Sequence, residues 1–277
     1  MDHIAYFGPE GTYSELIARK RFGKHSTYLP FPAITDVCRH VARHPGHLGV
    51  VPIENSSGGA IHETVDILIA HRPRVWIHEE LSLNVRLALL GHRGNTIRTL
   101  YSHFAPLDHC AAWIRKHMPG VGKHLTTSTA QAAEKAAQDP HAAALGNRTL
   151  AALHALSVLH FPVEADVPNL TTFLVLTART PMAPPKRPGT KMTLVAHLPN
   201  RPGSLCTFLE TFRDESVNLS RILSRPIRGC PREYAFLVDV EGSPSNPHVR
   251  SALQRAKATC VSLRIAGYFP CRKPYSS

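Results

Sequence analysis

Along the first 180 residues, continuous apolar segments alternate with segments in which apolar residues have helical spacing. This pattern predicts strands separated by helices. Short continuous apolar runs near 4–7, 48–53 and 142–145 are typical of buried strands. Helical spacing of apolar residues fills 12–22, 62–71, 107–117 and 129–137. Because strands and helices alternate, we expect an α/β fold with a largely parallel sheet.

The pattern changes after a proline-rich stretch. Residues 181–189 contain four prolines, which exclude helix and central strand and predict a semi-rigid linker. Beyond it, strands near 193–197, 219–224, 234–240 and 261–266 and helices near 203–213 and 247–257 follow the order βαββαβ, which is the ferredoxin-like arrangement. We therefore expect one domain over 1–180, a linker over 181–189 and a second domain over 190–277.

Composition favours a folded cytoplasmic protein. The hydrophobic content is 43%, which is ample for a core, and no apolar run reaches the length of a membrane-spanning helix. The chain enters its first strand at once, which leaves no room for an export signal. The six cysteines form no C-x-x-C pair, so we expect reduced thiols in the cytoplasm.

The formal charge of +12 raises the question of nucleic-acid binding. Lysines and arginines are scattered, however, and aromatic residues do not interleave with them. We therefore expect a basic surface and no nucleic-acid partner. A field of this sign also attracts anionic small molecules.

Two glycine-containing turns follow predicted strands. In residues 8–15, Thr12 or Ser14 can cap the next helix, and the backbone amides either face an anion or form an ordinary helix entry. Residues 51–60 offer a carboxylate, a carboxamide, two hydroxyls and backbone amides. This turn is either a carboxylate-binding cradle or a capped turn in which Glu54 is satisfied internally.

A third polar segment, residues 169–173, opens an apolar strand, and such strand ends are where α/β proteins place reactive groups.

Histidines are candidate metal ligands. His40, His44 and His47 share helical spacing but have no carboxylate partner in the sequence, so we expect no metal there. The nucleophile-elbow motif G-x-S-x-G does not occur in the sequence.

These motifs, in this order, resemble the prephenate dehydratase family over nearly the whole of the first 180 residues. The matching segments are Gly8-Pro9-Glu10-Gly11-Thr12-Tyr13-Ser14, Val51-Pro52-Ile53-Glu54-Asn55-Ser56 with Thr64-Val65-Asp66-Ile67-Leu68, Ser102-His103 with Leu107 and Cys110, Ser128-Thr129-Ala130-Gln131-Ala132-Ala133, and Asn169 with Thr171 and Phe173.

The C-terminal region resembles the regulatory ACT domain that follows the dehydratase in this family. The family's two phenylalanine-binding motifs correspond to Gly203-Ser204-Leu205 and to Ser224-Arg225-Pro226, with Leu223 in place of a glutamate. In relatives, phenylalanine binds between paired ACT domains. The resemblance therefore implies a phenylalanine effector and a homodimer or homotetramer.

The resemblance also implies a two-lobed, periplasmic-binding-protein-like catalytic domain that closes over prephenate. Such enzymes convert prephenate to phenylpyruvate in phenylalanine biosynthesis, expel water and carbon dioxide, and need no cofactor. Thr171 matches the threonine credited with assisting the departing hydroxyl. The polar positions expected around the substrate are Asn55, Ser56, Ser102, Thr129 and Thr172.

Two departures from the family pattern affect the expected chemistry. Thr172 replaces the motif's arginine, and Phe104-Ala105 replaces a Pro-Gln pair. An arginine–carboxylate pair contributes about 1.5–3 kcal/mol. Arg86 or Arg148 could supply a cation from elsewhere in the sequence. Two alternatives therefore stand beside the dehydratase: a prephenate-using lyase that decarboxylates without aromatisation, and a silent ligand-binding homologue.

Overall fold

The computed structural model describes residues 2–70, 72–163, 168–180, 189–227, 229–230, 232–270 and 272–277. The first lobe contains β1 (His3–Phe7), α1 (Tyr13–Phe22), β2 (Thr27–Phe31), α2 (Ile34–Arg43), β3 (Leu48–Asn55), β4 (Gly59–Ala60), α3 (His62–Ala70), β5 (Trp76–Asn84) and, later in the chain, β11 (Leu170–Thr177). The second lobe contains β6 (Leu87–Gly91), β7 (Thr99–Ser102), α4 (Phe104–His109), α5 (Ala111–His117), β8 (Gly122–Leu125), α6 (Thr129–Ala137), β9 (Ala142–Gly146), α7 (Thr149–Leu153) and β10 (Ser157–Val163). The C-terminal unit contains β12 (Thr190–His197), α8 (Ser204–Arg213), β13 (Leu219–Pro226), β14 (Tyr234–Glu241), α9 (Pro247–Thr259), β15 (Ser262–Pro270) and β16 (Tyr275–Ser276).

The first lobe is built on the strand order β5-β11-β3-β1-β2. Strand β1 runs parallel to β2 and β3, which confirms the parallel pairing expected from sequence. Strand β11 runs antiparallel to both β3 and β5, because the chain enters it on its way back from the second lobe. The start of β11 therefore lies beside the carboxyl end of β3.

The second lobe has its own sheet, ordered β10-β6-β9-β7-β8. Strands β7, β8 and β9 are parallel, so their carboxyl ends share one edge. The chain passes between the lobes twice, from β5 to β6 and from β10 to β11. The single helix expected over 107–117 is wrong: the chain forms α4 and α5, which meet at the fully buried Cys110.

The C-terminal unit has the strand order β13-β14-β12-β15 and carries α8 and α9 on one face, which confirms the βαββαβ prediction. Its sheet joins that of the first lobe where Gly267 pairs with Ile77. A Cβ atom at position 267 would overlap the carbonyl of Ile77, so this approach requires glycine. Of the predicted linker, residues 181–188 lie outside the described residues. Within the described residues, the helices lack the length and apolar composition needed to cross a membrane.

Two apolar cores cover opposite faces of the first lobe's sheet. One face packs on α1 and the second lobe and includes Phe173 and Leu83. The other packs on α2, α3 and the C-terminal unit and includes Leu174 and Leu237. Because successive strand residues point to opposite faces, β11 contributes to both cores.

An arginine of the C-terminal unit lies among three carboxylates. Nε of Arg221 is 3.0 Å from Oε2 of Glu54, and one of its terminal nitrogens is 3.1 Å from Oε2 of Glu80 and 2.5 Å from Oδ2 of Asp239. Glu54 and Glu80 belong to the first lobe. A second arginine of β13, Arg225, forms a bidentate pair with Asp66 of α3 at 2.6 and 3.0 Å. Strand β13 thus binds the first lobe through two guanidinium groups.

The Arg221 cluster is buried and internally satisfied. The side chains of Arg221 and Glu80 are each 10% exposed, and that of Asp239 is 1% exposed. Burial raises the pKa of Asp239 against the opposing attraction of Arg221. Burial alone would lower the pKa of Arg221, but Asp239, Glu80 and Glu54 outweigh it and raise that pKa. The hydroxyl of Thr193 also donates to Asp239, at 2.6 Å.

Removing the guanidinium would leave buried carboxylates without their cation. We expect Arg221→Met to lower the free energy of unfolding by about 3–5 kcal/mol, which is the usual cost of breaking a buried ion pair. The matched control is Arg39→Met, which removes an exposed pair with Asp36 and should cost no more than about 1 kcal/mol. Urea denaturation of both variants measures the difference. Equal losses would show that the Arg221 cluster stabilises no more than a surface pair.

Candidate active site

The side chain of Asn55 joins the end of β3 to the start of β11. Its Nδ2 donates to the hydroxyl oxygen of Thr171 at 2.7 Å and to Oδ1 of Asn169 at 2.9 Å. Its Oδ1 accepts the backbone N–H groups of Ser57 and Gly58 at 2.9 and 2.7 Å. Those backbone donors fix which end of the carboxamide is oxygen, so all four bonds hold one orientation.

This orientation determines what Thr171 can do. The hydroxyl oxygen of Thr171 accepts a hydrogen bond from Asn55, so its own hydrogen remains for another partner. Within the described residues no second bond to this hydroxyl is formed. Thr171 shares its face of β11 with Phe173, on the side of the second lobe. The structure therefore presents a neutral hydrogen-bond donor at the junction between the lobes.

Ser56 and the turn after it are satisfied within the protein. The hydroxyl of Ser56 donates to the carbonyl of Pro168 at 3.1 Å and accepts from the amide of Leu170 at 2.9 Å. The amides of Ser57 and Gly58 are bound to Asn55. The prediction of a cradle of free amides is therefore wrong for this turn. Glu54 is satisfied internally, as the capped-turn alternative expects, but its partner is Arg221 of the C-terminal unit.

Thr172 lies on the other face of β11 from Thr171. It pairs with Glu54 on β3 and with Ser82 on β5, and its side-chain face continues into Leu174 of the opposite core. Thr172 is 9% exposed. Strand geometry therefore separates its side chain from the hydroxyl of Thr171, and Glu54, its partner on β3, binds Arg221.

The second lobe contributes Ser102 and Thr129. Ser102 ends β7, is fully buried, and donates its hydroxyl to the carbonyl of His103 at 2.9 Å. Thr129 begins α6, one residue after its cap Ser128, and is 8% exposed. Both lie at the carboxyl edge of the parallel strands. The structure describes no hydrogen bond between either side chain and Asn55 or Thr171.

Two hydrogen-bonding contacts and one close approach join the two lobes. The hydroxyl of Ser57 lies 3.0 Å from Nδ1 of His109 on α4. Nδ2 of Asn147 donates to the carbonyl of Gly11 at 2.7 Å. A Cβ atom added to Gly58 would lie 3.7 Å from the Cβ of Ala105. Position 105, where the family carries glutamine, therefore faces the turn held by Asn55.

Burial shifts several ionisable groups near the lobe junction towards their neutral forms. Burial lowers the pKa values of His103 and His109, and Asp108 opposes the shift of His109 only partly. Burial raises the pKa of the Cys110 thiol to about 12 and raises the pKa of the Tyr13 hydroxyl. Cys110 is consequently no nucleophile here, and the junction is suited to hydrogen bonding.

The glycine-containing turn at 8–15 also forms its hydrogen bonds within the protein. Thr12 caps α1 by accepting from the amide of Glu15, as predicted, and the amide of Gly11 donates to the Glu15 carboxylate at 2.6 Å. Arg86 and Arg148, the two candidate replacement cations, stack on the same ring of Phe161, with guanidinium carbons 5.4 and 4.1 Å from its centroid. Both arginines therefore lie on the surface of the second lobe, near the strands where the chain passes between the lobes.

The two ACT-type motifs lie at one end of the C-terminal sheet. His197 at the end of β12 and Arg225 near the end of β13 both pair with Ala235, which places Gly203-Ser204-Leu205 and Ser224-Arg225-Pro226 on the same side. Arg225 is bound to Asp66. Leu223 packs against the apolar core shared with the first lobe, which explains why an apolar residue fits there.

Sequence reasoning missed several residues of this junction. Asn147, which is 2% exposed, and His109 contact the opposite lobe but lie in segments whose local pattern reads as ordinary turn and helix. Asn169 was part of the recognised segment, yet its role as the second acceptor of Asn55 depends on strand pairing. Only the pairing of β3 with β11 shows it.

Comparisons with known proteins agree with this architecture. The family model for prephenate dehydratase matches residues 4–181, and the model for the ACT domain matches residues 192–258. The bifunctional chorismate mutase/prephenate dehydratase of Pseudomonas aeruginosa is 33% identical over 269 residues, which cover 96% of this chain and 73% of that protein.

Solved structures give the same result. The prephenate dehydratase of Arthrobacter aurescens in complex with L-Phe superposes with a TM-score of 0.88 at 26% identity, over 98% of this chain and 92% of that one. A protein described as GqqA, a novel type of quorum quenching acylases, superposes with a TM-score of 0.85 at 28% identity, over 98% of both chains. With both regions matched in order, this chain belongs to the prephenate dehydratase family, as a two-lobed α/β region followed by a ferredoxin-like ACT domain.

Proposed function

We propose that the chain is a prephenate dehydratase, a carbon–oxygen lyase that converts prephenate to phenylpyruvate in phenylalanine biosynthesis. One observation carries the proposal most directly: Asn55 donates to Thr171 and leaves the threonine's hydrogen available at the lobe junction. Such a donor can bind the ring hydroxyl of prephenate as it departs. We place the reaction in the cytoplasm because the five described cysteines are free thiols.

The chemistry needs little more than positioning and one donor. The bond between the ring and its carboxylate breaks, and its electron pair forms the last double bond of the aromatic ring. The ring hydroxyl leaves with one added proton as water, and the carboxylate leaves as carbon dioxide. A neutral threonine is a weak acid, so Thr171 acts by hydrogen bonding or by relaying a proton. Aromaticity supplies the driving force.

The geometry weakens the two alternatives. The non-aromatising lyase was motivated by the loss of a cation at position 172 and of a carboxamide at position 105, which were expected to alter the handling of charge leaving the ring. Thr172 faces away from Thr171 and towards the interface where Arg221 binds Glu54. The missing arginine therefore supports neither a non-aromatising lyase nor a silent homologue.

Purified protein mixed with prephenate tests the function. We expect prephenate to be consumed and phenylpyruvate, measured by its absorbance in alkali, to appear in equal amount. Consumption without phenylpyruvate would identify the non-aromatising lyase. The absence of any turnover at high enzyme concentration would favour the silent homologue and contradict the proposal.

Asn55→Asp tests how Thr171 is held. A carboxylate cannot donate, so the threonine would donate its hydrogen to it, and the new charge would repel the anionic substrate. We expect the turnover number to fall by about 100-fold or more, the usual effect of losing an aligned donor. The control is Asn95→Asp, the same change at an exposed turn of the second lobe, which should retain turnover. Near-normal activity of the Asn55 variant would contradict the assigned geometry.

We also propose phenylalanine as the effector and a homodimer or homotetramer as the assembly. Strand β13 is the edge of the C-terminal sheet, where Ile222 is 45% exposed, and Tyr234 on the adjacent β14 is 47% exposed. An edge strand with exposed apolar residues can pair with a second copy. The segments Gly203-Ser204-Leu205 and Ser224-Arg225-Pro226 lie at one end of this sheet and would bind the amino acid between the copies.

Ile222→Glu tests the assembly and the effector together. We expect the unaltered protein to sediment as a dimer or larger and to release heat on binding phenylalanine, and the variant to be monomeric and to bind at least about tenfold more weakly. Val261→Glu, at a 74% exposed position outside β13, is the control. A dimeric variant, or phenylalanine binding by a monomer, would contradict this arrangement.

A second candidate activity rests on Ser57 and His109. The hydroxyl lies 3.0 Å from Nδ1 of the imidazole, whose pKa is lowered by burial, and this is the arrangement of a nucleophile and its base. We propose that this pair can cleave N-acyl amides, and the similar protein GqqA is described as an acylase. Ser57 would attack the carbonyl, and His109 would pass its proton to the departing amine before water releases the acyl group.

A fatty-acyl p-nitroanilide tests this second activity. We expect slow release of p-nitroaniline that is lost in both Ser57→Ala and His109→Gln and is retained in Ser26→Ala, which removes a hydroxyl elsewhere in the first lobe. Release that persists in the Ser57 and His109 variants, or no release from the unaltered protein, would show that the pair only closes the lobes.

A further inference from the structure

Three histidines converge at the end of α2, far along the first lobe from Thr171. His40 lies in the last turn of the helix, His44 caps it, and a turn closed by the His47 amide and the His44 carbonyl brings His47 back. Each offers a ring nitrogen, and these three atoms lie within 4.8 Å of one another. Nε2 of His40 and Nδ1 of His47 are already 2.8 Å apart.

One member of this group has its tautomer fixed by the backbone. Nδ1 of His44 lies 2.8 Å from the carbonyl oxygen of His40, which accepts only, so Nδ1 carries the proton. Nε2 of His44 therefore carries a lone pair. Binding one ring nitrogen to a backbone carbonyl while the other faces the ion is the usual arrangement of a metal-ligating histidine.

The surroundings of His40 and His47 disfavour the charged forms of these rings and restrain one of them. Burial, then the neighbouring histidines, lowers the pKa values of His40 and His47. His3 stacks on His47 with ring centroids 4.5 Å apart and planes 11° apart, which restrains the ring. His40 and His47 are half-buried, and His44 is exposed, so an ion can reach the group from solvent.

We propose that His40, His44 and His47 form a binding site for a divalent transition-metal ion of the zinc type. Imidazole nitrogens bind Zn²⁺ at about 2.0–2.1 Å, so tetrahedral ligands lie roughly 3.4 Å apart. The three nitrogens reach this spacing by side-chain rotations, and water completes the coordination. This departs from the expectation of no metal, which rested on the lack of a carboxylate partner, because three converging imidazole nitrogens can bind the ion without one.

The site lies where an ion would stabilise structure and take no part in the chemistry. Nε of Arg179, at the end of the first lobe's part of the chain, donates to the carbonyl of Pro45 at 3.2 Å, within the loop that the metal would close. Binding to the folded protein alone raises the unfolding temperature as metal is added. The site and the proposed dehydratase are thus independent.

Calorimetric titration of tag-free protein with Zn²⁺ tests the site. We expect one equivalent to bind the unaltered chain, and each of His40→Ala, His44→Ala and His47→Ala to weaken that binding by about tenfold or more. His124→Ala, at an exposed histidine of the second lobe, should leave it unchanged. Co²⁺ in place of Zn²⁺ should give the visible absorption of four-coordinate cobalt.

The triple variant of all three histidines separates metal binding from folding. Without metal, its melting temperature should match that of the unaltered protein, and only the unaltered protein should be stabilised by Zn²⁺. Equal Zn²⁺ binding by the triple variant, or the absence of one-equivalent binding at micromolar Zn²⁺ by the unaltered chain, would overturn the proposal.

Discussion

The alternation of side chains along β11 determines how this protein is assembled, because the strand enters the first lobe at the point where three parts of the molecule meet. Thr171 and Phe173 point towards the second lobe, while Thr172 and Leu174 point towards the core that includes the C-terminal unit. A shift of one residue would exchange these environments. The pairing of Thr171 with Asn55 and of Thr172 with Glu54 fixes that register.

Two adjacent residues of β3 likewise contact different parts of the molecule. Asn55 holds the hydroxyl of Thr171, and Glu54 holds Arg221 of the ACT domain. The Arg225–Asp66 pair anchors the same ACT strand to α3. A displacement of β13 therefore acts on the residue next to Asn55 through a salt bridge, which gives the ACT domain a physical route to the hydroxyl of Thr171.

Sequence reasoning located only some of the buried strands, because it did not predict β6, which is buried along its whole length. Strands β1, β3 and β9 are continuous apolar runs, and period and burial agree there. It missed β2, which is half-exposed and contains Pro30, and β8, which is exposed throughout, because neither has a hydrophobic pattern. The ACT unit was recovered in order, since its strands and helices alternate cleanly between core and solvent.

The sequence identified individual residues of the site but not how they are arranged. The motifs located Asn55 and Thr171, but the face occupied by Thr172, the reach of Arg221 and the contact between Ser57 and His109 depend on pairing between segments distant in sequence. The motif predicted Thr172 as a substrate-binding residue, but only the strand pairing shows that it faces away from Thr171. Local spacing grouped His40, His44 and His47, but it did not show that their ring nitrogens converge within 4.8 Å of one another.

The most direct test asks whether the two adjacent threonines of β11 have different roles. It compares the steady-state turnover of prephenate and the unfolding temperature of Thr171→Val with those of Thr172→Val. Both changes remove a hydroxyl at nearly constant volume. The account predicts that the Thr171 variant loses turnover with its stability intact, and that the Thr172 variant keeps its turnover. Equal loss in both, or loss confined to the Thr172 variant, would contradict it.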